Sequence, residues 1–170
     1  VVLDDYAWAR VGGNPITPGV YETWNNFDSG AVILPHGVYI VAHVNSDSFI
    51  LNEADMVSQL LSSGDDGIAL VFGIEPVVPT HPDSGLYTIL DWIGDWNGDP
   101  GIGWDVAGII AATANHTLVR KCEVMMGDTN WTNAAGTDPI NSQWVVLENE
   151  NWNSLGNFSS FSSDSIIINI

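Results

Sequence analysis

Side chains alternate with a period of two residues along much of this sequence, and this alternation restricts the chain to a β fold. In residues 6–11 (YAWARV), larger side chains alternate with Ala and Val, as in a half-buried strand. Further strands are predicted at residues 20–24, 31–34, 38–44, 68–72, 86–93, 117–121 and 143–147, with a turn at Asn25 and Asn26. We therefore expect an all-β fold of about eight short strands, arranged as a sandwich or barrel.

One segment, near residues 52–61, has helical spacing instead. Asn52 is a suitable cap for a helix, and Gly64 is a typical stop. The apolar stripe of this helix would consist of Ala54, Val57, Leu60 and Leu61. The sequence therefore predicts one short helix in an otherwise β-strand chain.

The chain is strongly acidic, with 21 Asp and Glu residues against three cations and a net charge of −18. Nucleic acids and anionic membrane surfaces are bound through clustered Lys and Arg, so neither is an expected partner. Only Arg10, Arg120 and Lys121 can pair with carboxylates, so most acids must face water or counter-ions. The near-absence of Lys and the abundance of Asn, Ser, Thr, Gly and Trp favour an extracellular or cell-surface protein.

The length and the remaining composition point to one soluble domain. A chain of 170 residues is expected to form a single domain with a core of its own. Its single cysteine, Cys122, excludes an internal disulfide framework. No run of 18 apolar residues occurs, so no membrane span is expected.

Six segments, taken in order, carry a family resemblance. They are VVLDDYAWARVG (1–12), GVYIVAHVNSDSFILNEADM (37–56), GDDGIALV (64–71), LDWIGDWNGDPGIGWDVAG (90–108), HTLVRK (116–121) and GDTNWTNAAGTDPINSQWVVLENENWNSLG (127–156). Together they resemble the lamin-tail domain family in its bacterial secreted branch. The resemblance implies an immunoglobulin-like β-sandwich over residues 1–156. It also implies a non-catalytic module of the kind attached to secreted nucleases or surface proteins.

The sequence departs from the family pattern at both ends. The family opens with two strands, one with a Ser-Glu-Tyr-like motif and one ending in an LEIYN-like stretch, and this chain begins after both. It adds a Ser-rich linker at 157–165 and an apolar tail strand, IIINI, at 166–170. A sandwich that lacks a strand exposes unpaired backbone and an apolar groove, which a donated strand can fill.

Three origins of the strand that fills this groove remain open. The tail can be the last strand of its own sandwich, or it can insert into a neighbouring copy, or a preceding segment of the same gene product can supply the missing strands. The candidate interface residues are Ile166, Ile167, Ile168 and Ile170. Head-to-tail insertion does not close, so self-association of that kind makes a filament.

A weak calcium candidate lies in the loop DWNGDPG. Its oxygen-bearing residues stand at alternate positions and are Asp95, Asn97 and Asp99. The EF-hand pattern fails because Pro100 replaces its glycine and Val106 replaces its closing glutamate. Asp91 and Asp105 could complete a site, but the same alternation is also ordinary turn chemistry.

The sequence lacks the motifs of common enzymes, including HExxH and G-x-S-x-G. Cys122 is expected to be a small core residue, and Asp65 and Asp66 are expected to form a turn. Eight tryptophans are many for this length. We expect Trp8, Trp92 and Trp144 in the core and the remaining Trp at interfaces. The alternative is that exposed Trp stack on sugars, in which case Trp96 and Trp131 would carry the sugar binding.

Three sequons mark possible glycosylation sites, at Asn115, Asn130 and Asn157. The leading hypothesis is a non-enzymatic extracellular structural subunit that forms a surface fibre or filament by β-strand complementation, with no cofactor. The alternatives are a carbohydrate- or calcium-binding module, in which a glycan is the partner, and an accessory domain of a larger secreted hydrolase.

Overall fold

A computed structural model describes residues 1–61 and 63–157, which form eight strands and two short α-helices. The strands are β1 (Tyr6–Val11), β2 (Thr23–Asn26), β3 (Val41–His43), β4 (Met56–Ser58), β5 (Gly67–Gly73), β6 (Tyr87–Ile93), β7 (Thr117–Arg120) and β8 (Trp144–Leu147). The helices are α1 (Ser48–Glu53) and α2 (Trp131–Ala135), and a 3-10 turn spans Pro82–Ser84. The all-β fold that the alternation predicts is confirmed.

Four strands form the main sheet, which is antiparallel and has the order β2-β1-β5-β6. β1 lies inside this sheet, with Trp8 opposite Asn25 of β2 and opposite Leu70 of β5. The small residues of YAWARV face the core, where Ala9 and Val11 are fully buried. The predicted strand at 6–11 is therefore correct in its bounds.

Trp96 fills the core on the inner face of the main sheet. It is fully buried, and its Nε1 donates to the carbonyl oxygen of Gly67 at 3.0 Å. A Cβ at position 67 would collide with the Asp95 carbonyl oxygen, so this close approach requires glycine. The Trp96 ring meets the Trp92 ring edge to face at 5.3 Å between centroids. A residue from an Asp- and Gly-rich loop thus completes the core.

A second apolar cluster joins α2 to the sheet formed by β7 and β8. Its buried members are Val106, Ala107, Ala112, Trp131, Ala134, Ala135 and Trp144. Trp92 packs against this cluster and also against the core of the main sheet. The two clusters therefore meet at Trp92, and the β7–β8 sheet is held beside β6.

The helix predicted near 52–61 is wrong in its position. α1 lies earlier in the chain, where the Asp47 side chain accepts the Phe49 amide at 2.8 Å and caps it. The segment that follows forms β4, which pairs in parallel with β3. Asp55 fixes this pairing because its Oδ2 accepts the Ile40 amide at 2.7 Å. The Asp47 cap and the bond from Ile40 to Asp55 therefore outweigh the helical spacing of the apolar residues.

Other predicted elements differ in detail. The strand expected at 31–34 is reduced to an isolated bridge between Val2 and Val32. The turn expected at Asn25 and Asn26 does not form, because both residues belong to β2 and pair with β1. The immunoglobulin-like arrangement and the domain bounds 1–156 stay predictions. The linker beyond Asn157 and the tail at 166–170 lie outside the described residues.

We expect Trp96→Ala to lower the free energy of unfolding by about 3–5 kcal/mol, because it empties a fully buried indole site. Urea denaturation followed by circular dichroism measures this change. Trp152→Ala is the matched control, since Trp152 is 37% exposed and should cost less than about 0.5 kcal/mol. Equal losses for both variants would contradict the placement of Trp96.

Candidate functional site

Arg10 and Asp66 form a largely buried ion pair between β1 and the residue before β5. Arg10 Nε donates to Asp66 Oδ2 at 2.9 Å, and Nη2 donates to Oδ1 at 3.2 Å. Their side chains are only 15% and 3% exposed. Two parallel bonds of this kind fix geometry as well as charge. Asp66 therefore has a structural role, because it binds the Arg10 guanidinium. It also lies next to the turn before β5.

Arg120 connects the β7–β8 sheet to the main sheet. Its Nη1 and Nη2 each donate to one oxygen of Asp91 on β6, both at 3.0 Å. Nη2 also donates to Gln143 Oε1 at 2.8 Å, and the guanidinium lies 4.3 Å from the Trp144 ring centroid. Asp91 is therefore neutralised by Arg120 rather than available to complete a calcium site.

Lys121, the third cation, is buried and 5% exposed. Its Nζ donates to the carbonyl oxygens of Pro139 at 2.7 Å and Ile140 at 3.4 Å. All three cations of the chain are thus engaged inside the fold. The charge that faces solvent is carried by carboxylates, which opposes association with another acidic surface.

The outer face of the main sheet, opposite the Trp96 core, is apolar and only partly covered. Alternation and cross-strand pairing place Tyr6, Trp8, Ile68, Leu70, Phe72 and Ile93 on one side, and we define the outer face by these residues. The same register also places Arg10 and Asp91 on this side, and each of them is held in an ion pair. Leu70, Phe72 and Ile93 are 38%, 43% and 37% exposed. The Phe72 ring meets Tyr6 edge to face at 5.0 Å. This face presents a row of large apolar side chains on an acidic protein.

A pocket of about 200 Å³ opens in this outer face. Its wall consists of Trp8, Ile68, Leu70, Asp91, Trp92, Ile93 and Trp144. Since Asp91 is paired with Arg120, the pocket is apolar in character. Ligand pockets of small-molecule sites usually measure about 300–1,000 Å³, so this one fits a single apolar side chain better. The size and lining of the pocket therefore suit an apolar side chain.

The calcium candidates in the loop after β6 are used in local turns. Asp95 Oδ1 accepts the Asn97 amide at 2.7 Å, and Asp99 Oδ1 accepts the Gly101 amide at 2.7 Å. Asp105 Oδ1 accepts the Ala111 amide at 2.8 Å. Within residues 1–61 and 63–157, no group of three or more His, Cys, Asp or Glu side chains is placed to hold a metal ion. Calcium stays a prediction without structural support.

The two tryptophans that would carry sugar binding in a carbohydrate module are inside the protein. Trp96 is fully buried because it completes the core of the main sheet. Trp131 is 5% exposed because it begins α2 and belongs to the second cluster. Their rings are therefore closed to a glycan, and this part of the sugar hypothesis is wrong. Trp152 is the more accessible indole, at 37% exposure.

The three sequon asparagines are all exposed. The Asn130 side chain caps α2 by accepting the Asn133 amide at 3.0 Å. Asn157 Nδ2 donates to the Leu155 carbonyl oxygen at 3.2 Å. Cys122 is half-buried rather than in the core, and its Sγ donates to Glu123 Oε2 at 3.6 Å.

Comparisons with known proteins assign no family to this chain. It matches no protein-family model, no curated protein and no solved structure. The lamin-tail resemblance therefore stays a prediction from the six sequence segments. No helix in the described parts of the chain has the length and hydrophobicity that crossing a bilayer requires. Function must be argued from the surfaces described above.

Asp128 lies beside Arg120 and gives the site a pH dependence. Burial raises the pKa of the Asp128 carboxyl, but bonds from the Asn130 amide, the Asn133 and Gln143 side chains and the charge of Arg120 outweigh it, so the pKa is lowered. A lowered pKa stabilises the fold above the unfolded-state pKa, about 3.9, and this stability is lost as pH falls through the folded-state pKa.

We expect Asp128→Asn to destabilise the protein at neutral pH and to differ less from the unaltered chain in acid. Urea unfolding at a series of pH values measures both chains. Glu148→Gln is the control, because Glu148 is exposed and lies outside this network. A destabilisation that stays constant as pH falls would contradict the role of the ionised carboxylate.

Proposed function

We propose that this protein is a non-enzymatic extracellular structural subunit that assembles head to tail into a surface fibre or filament. Assembly uses β-strand complementation, with residues 166–170 as the donated strand. The observation that carries the proposal is the partly uncovered apolar outer face of the main sheet, with its indole-lined pocket.

The apolar outer face supports an interface because such surface is costly in water. Burial of apolar area contributes about 25 cal/mol per Å², so covering Leu70, Phe72 and Ile93 favours association. Contiguous apolar patches rimmed by polar residues mark interaction sites in soluble proteins. In a chain of net charge −18, the carboxylate in the wall of this pocket, Asp91, is already paired with Arg120, so a neighbour can gain contact energy here with little repulsion.

The composition of the C-terminal segment supports the strand-donor role. IIINI is rich in β-branched residues and uncharged, which suits addition to a sheet. Residues 151–170 contain a single carboxylate side chain, Asp164. This segment can therefore approach another copy with little electrostatic repulsion.

We expect electron microscopy of the full chain at moderate salt to show filaments, and a chain ending at Ser165 to show none. This truncation removes the proposed donor strand and leaves the described fold intact. Filaments in both would keep the structural role but move the contacts to the outer face alone. Monomers in both would contradict the filament proposal and favour the carbohydrate- or calcium-binding alternative.

We also expect filament yield to rise with salt, because subunits of charge −18 repel each other. The Debye length falls from about 30 Å at 0.01 M salt to about 3 Å at 1 M, so salt screens this repulsion. Light scattering and sedimentation of the full chain measure the yield, with the truncated chain as control. Yield that falls as salt rises would point to assembly through charge pairs instead.

The other two functions have less support. The buried Trp96 and Trp131 weaken a carbohydrate module, and the turn bonds of Asp95 and Asp99 weaken a calcium module. An accessory role in a secreted hydrolase predicts a catalytic domain in the same gene, which sequencing upstream of Val1 tests.

A further inference from the structure

Among the described residues, β7 pairs only with β8, and its other edge is open. The ladder between the two strands runs from Thr117 opposite Leu147 to Arg120 opposite Trp144. The Lys121 amide continues this ladder by donating to the Gln143 carbonyl oxygen at 3.0 Å. In an antiparallel ladder every second pair of opposite residues is hydrogen-bonded, so the pairs of Thr117 and Val119 are bonded and those of Leu118 and Arg120 are not. The backbone groups of Leu118 and Arg120 therefore point away from β8. They have no backbone partner within residues 1–61 and 63–157.

A groove of about 470 Å³ follows this open edge. One wall is β7 with His116, and the other is formed by Asn151, Trp152, Ser154, Leu155, Gly156 and Asn157. Two hydrogen-bonded turns shape that second wall, with Leu155 donating to Trp152 at 3.0 Å and Asn157 donating to Ser154 at 3.1 Å. The groove thus combines unpaired strand backbone with apolar side chains, which is what an added strand requires.

The groove is also favourable in its charge. None of its lining residues is Asp or Glu, although the chain contains 21 of them, and Arg120 and His116 lie in its wall. An uncharged segment of another acidic copy therefore meets little repulsion here. This complementarity favours an occupant from this same protein, whose residues 166–170 carry no charged side chain.

The end of the described chain lies in the groove wall, at Asn157. From there eight residues, 158–165, precede the IIINI segment, and eight extended residues span at most about 26–29 Å. A four-residue strand is about 13 Å long, and a hairpin return needs a loop of about 2–5 residues. Residues 158–165 are therefore longer than the loop that would return the chain to the β7 edge of its own copy, and they are long enough to reach a neighbouring copy.

We propose that residues 166–170 of one copy add as a strand to the open edge of β7 in the next copy, within the groove lined by residues 116–120 and 151–157. This inference rests on the proposed function and names its acceptor site. As a strand, the segment places Ile166, Ile168 and Ile170 on one face, which packs on the apolar lining.

Disulfide trapping between two single-cysteine proteins tests the acceptor. Both proteins carry Cys122→Ser, which removes the native thiol. The acceptor protein carries Leu118→Cys on β7, and the donor protein carries Ile168→Cys. A second donor protein with Ile167→Cys tests the register shifted by one residue. We expect mixing under mild oxidation to give a covalent heterodimer on a non-reducing gel, at least tenfold above the control. The control replaces Leu118→Cys by Val146→Cys, which lies directly opposite on β8 and one strand further away. That extra strand adds about 4.8 Å, beyond disulfide reach.

The outcomes separate this inference from the proposed function. A heterodimer with Leu118→Cys but not Val146→Cys supports the groove as acceptor. An intrachain disulfide alone, in one chain carrying both cysteines at high dilution, overturns donation between copies. Filaments that need residues 166–170 without trapping at Leu118 in either register overturn the groove and leave the proposed function standing. Absence of filaments and of trapping removes both, provided that circular dichroism shows folded variants.

Discussion

The ion pair between Arg120 and Asp91 joins the β7–β8 sheet to the main sheet, and both candidate surfaces depend on it. Asp91 lies in the wall of the pocket in the outer face, while Arg120 lies in the wall of the groove beside β7. Both side chains are largely shielded, at 30% and 20% exposure. Trp144 stacks on the guanidinium and also lines the pocket. One guanidinium therefore fixes the position of the pocket in the outer face relative to that of the groove beside β7.

The other two cations act in the same way at other junctions. Arg10 ties β1 to Asp66 at the start of β5, and Lys121 ties the end of β7 to the carbonyl groups of Pro139 and Ile140. A buried charge that loses its partner costs about 3–5 kcal/mol, so each junction is specific. Because these contacts consume the positive charge, the remaining surface is acidic. Apolar surface and unpaired backbone are then the features left for assembly.

Local patterning predicts the parts of this fold in which neighbours in sequence decide the structure. The strand at 6–11 follows from alternation alone, and those at 117–121 and 143–147 are close to β7 and β8. The helix near 52–61 fails because Asp55 bonds to Ile40, a contact fifteen residues away that no spacing reveals. The sequence did not show that Trp96 is buried, because its indole bonds to Gly67 in a strand that is distant in sequence. The turn at Asp95 directs the indole inward.

The candidate surfaces were only partly predictable for the same reason. Trp8, Trp92 and Trp144 were expected in a core, and Trp8 and Trp144 are buried, while Trp92 packs against both apolar clusters. All three also line a pocket that depends on the meeting of two sheets, which the sequence does not reveal. The scarcity of cations was a usable signal that each would be paired. The sequence did not reveal which carboxylate each cation pairs with, because partners such as Arg120 and Asp91 lie 29 positions apart.

The inward placement of every Lys and Arg also affects how readily proteases can cut this protein. Proteases of the trypsin type cut after these residues and require an extended, accessible segment. Here Arg10 is paired on both sides within the main sheet, the Arg120 side chain is held by Asp91 and Gln143, and Lys121 is buried. Cleavage at these positions therefore has to wait for local or global unfolding, and its rate reports the population of opened molecules. The same arrangement that makes the surface acidic removes the cleavage sites of a common class of digestive enzymes.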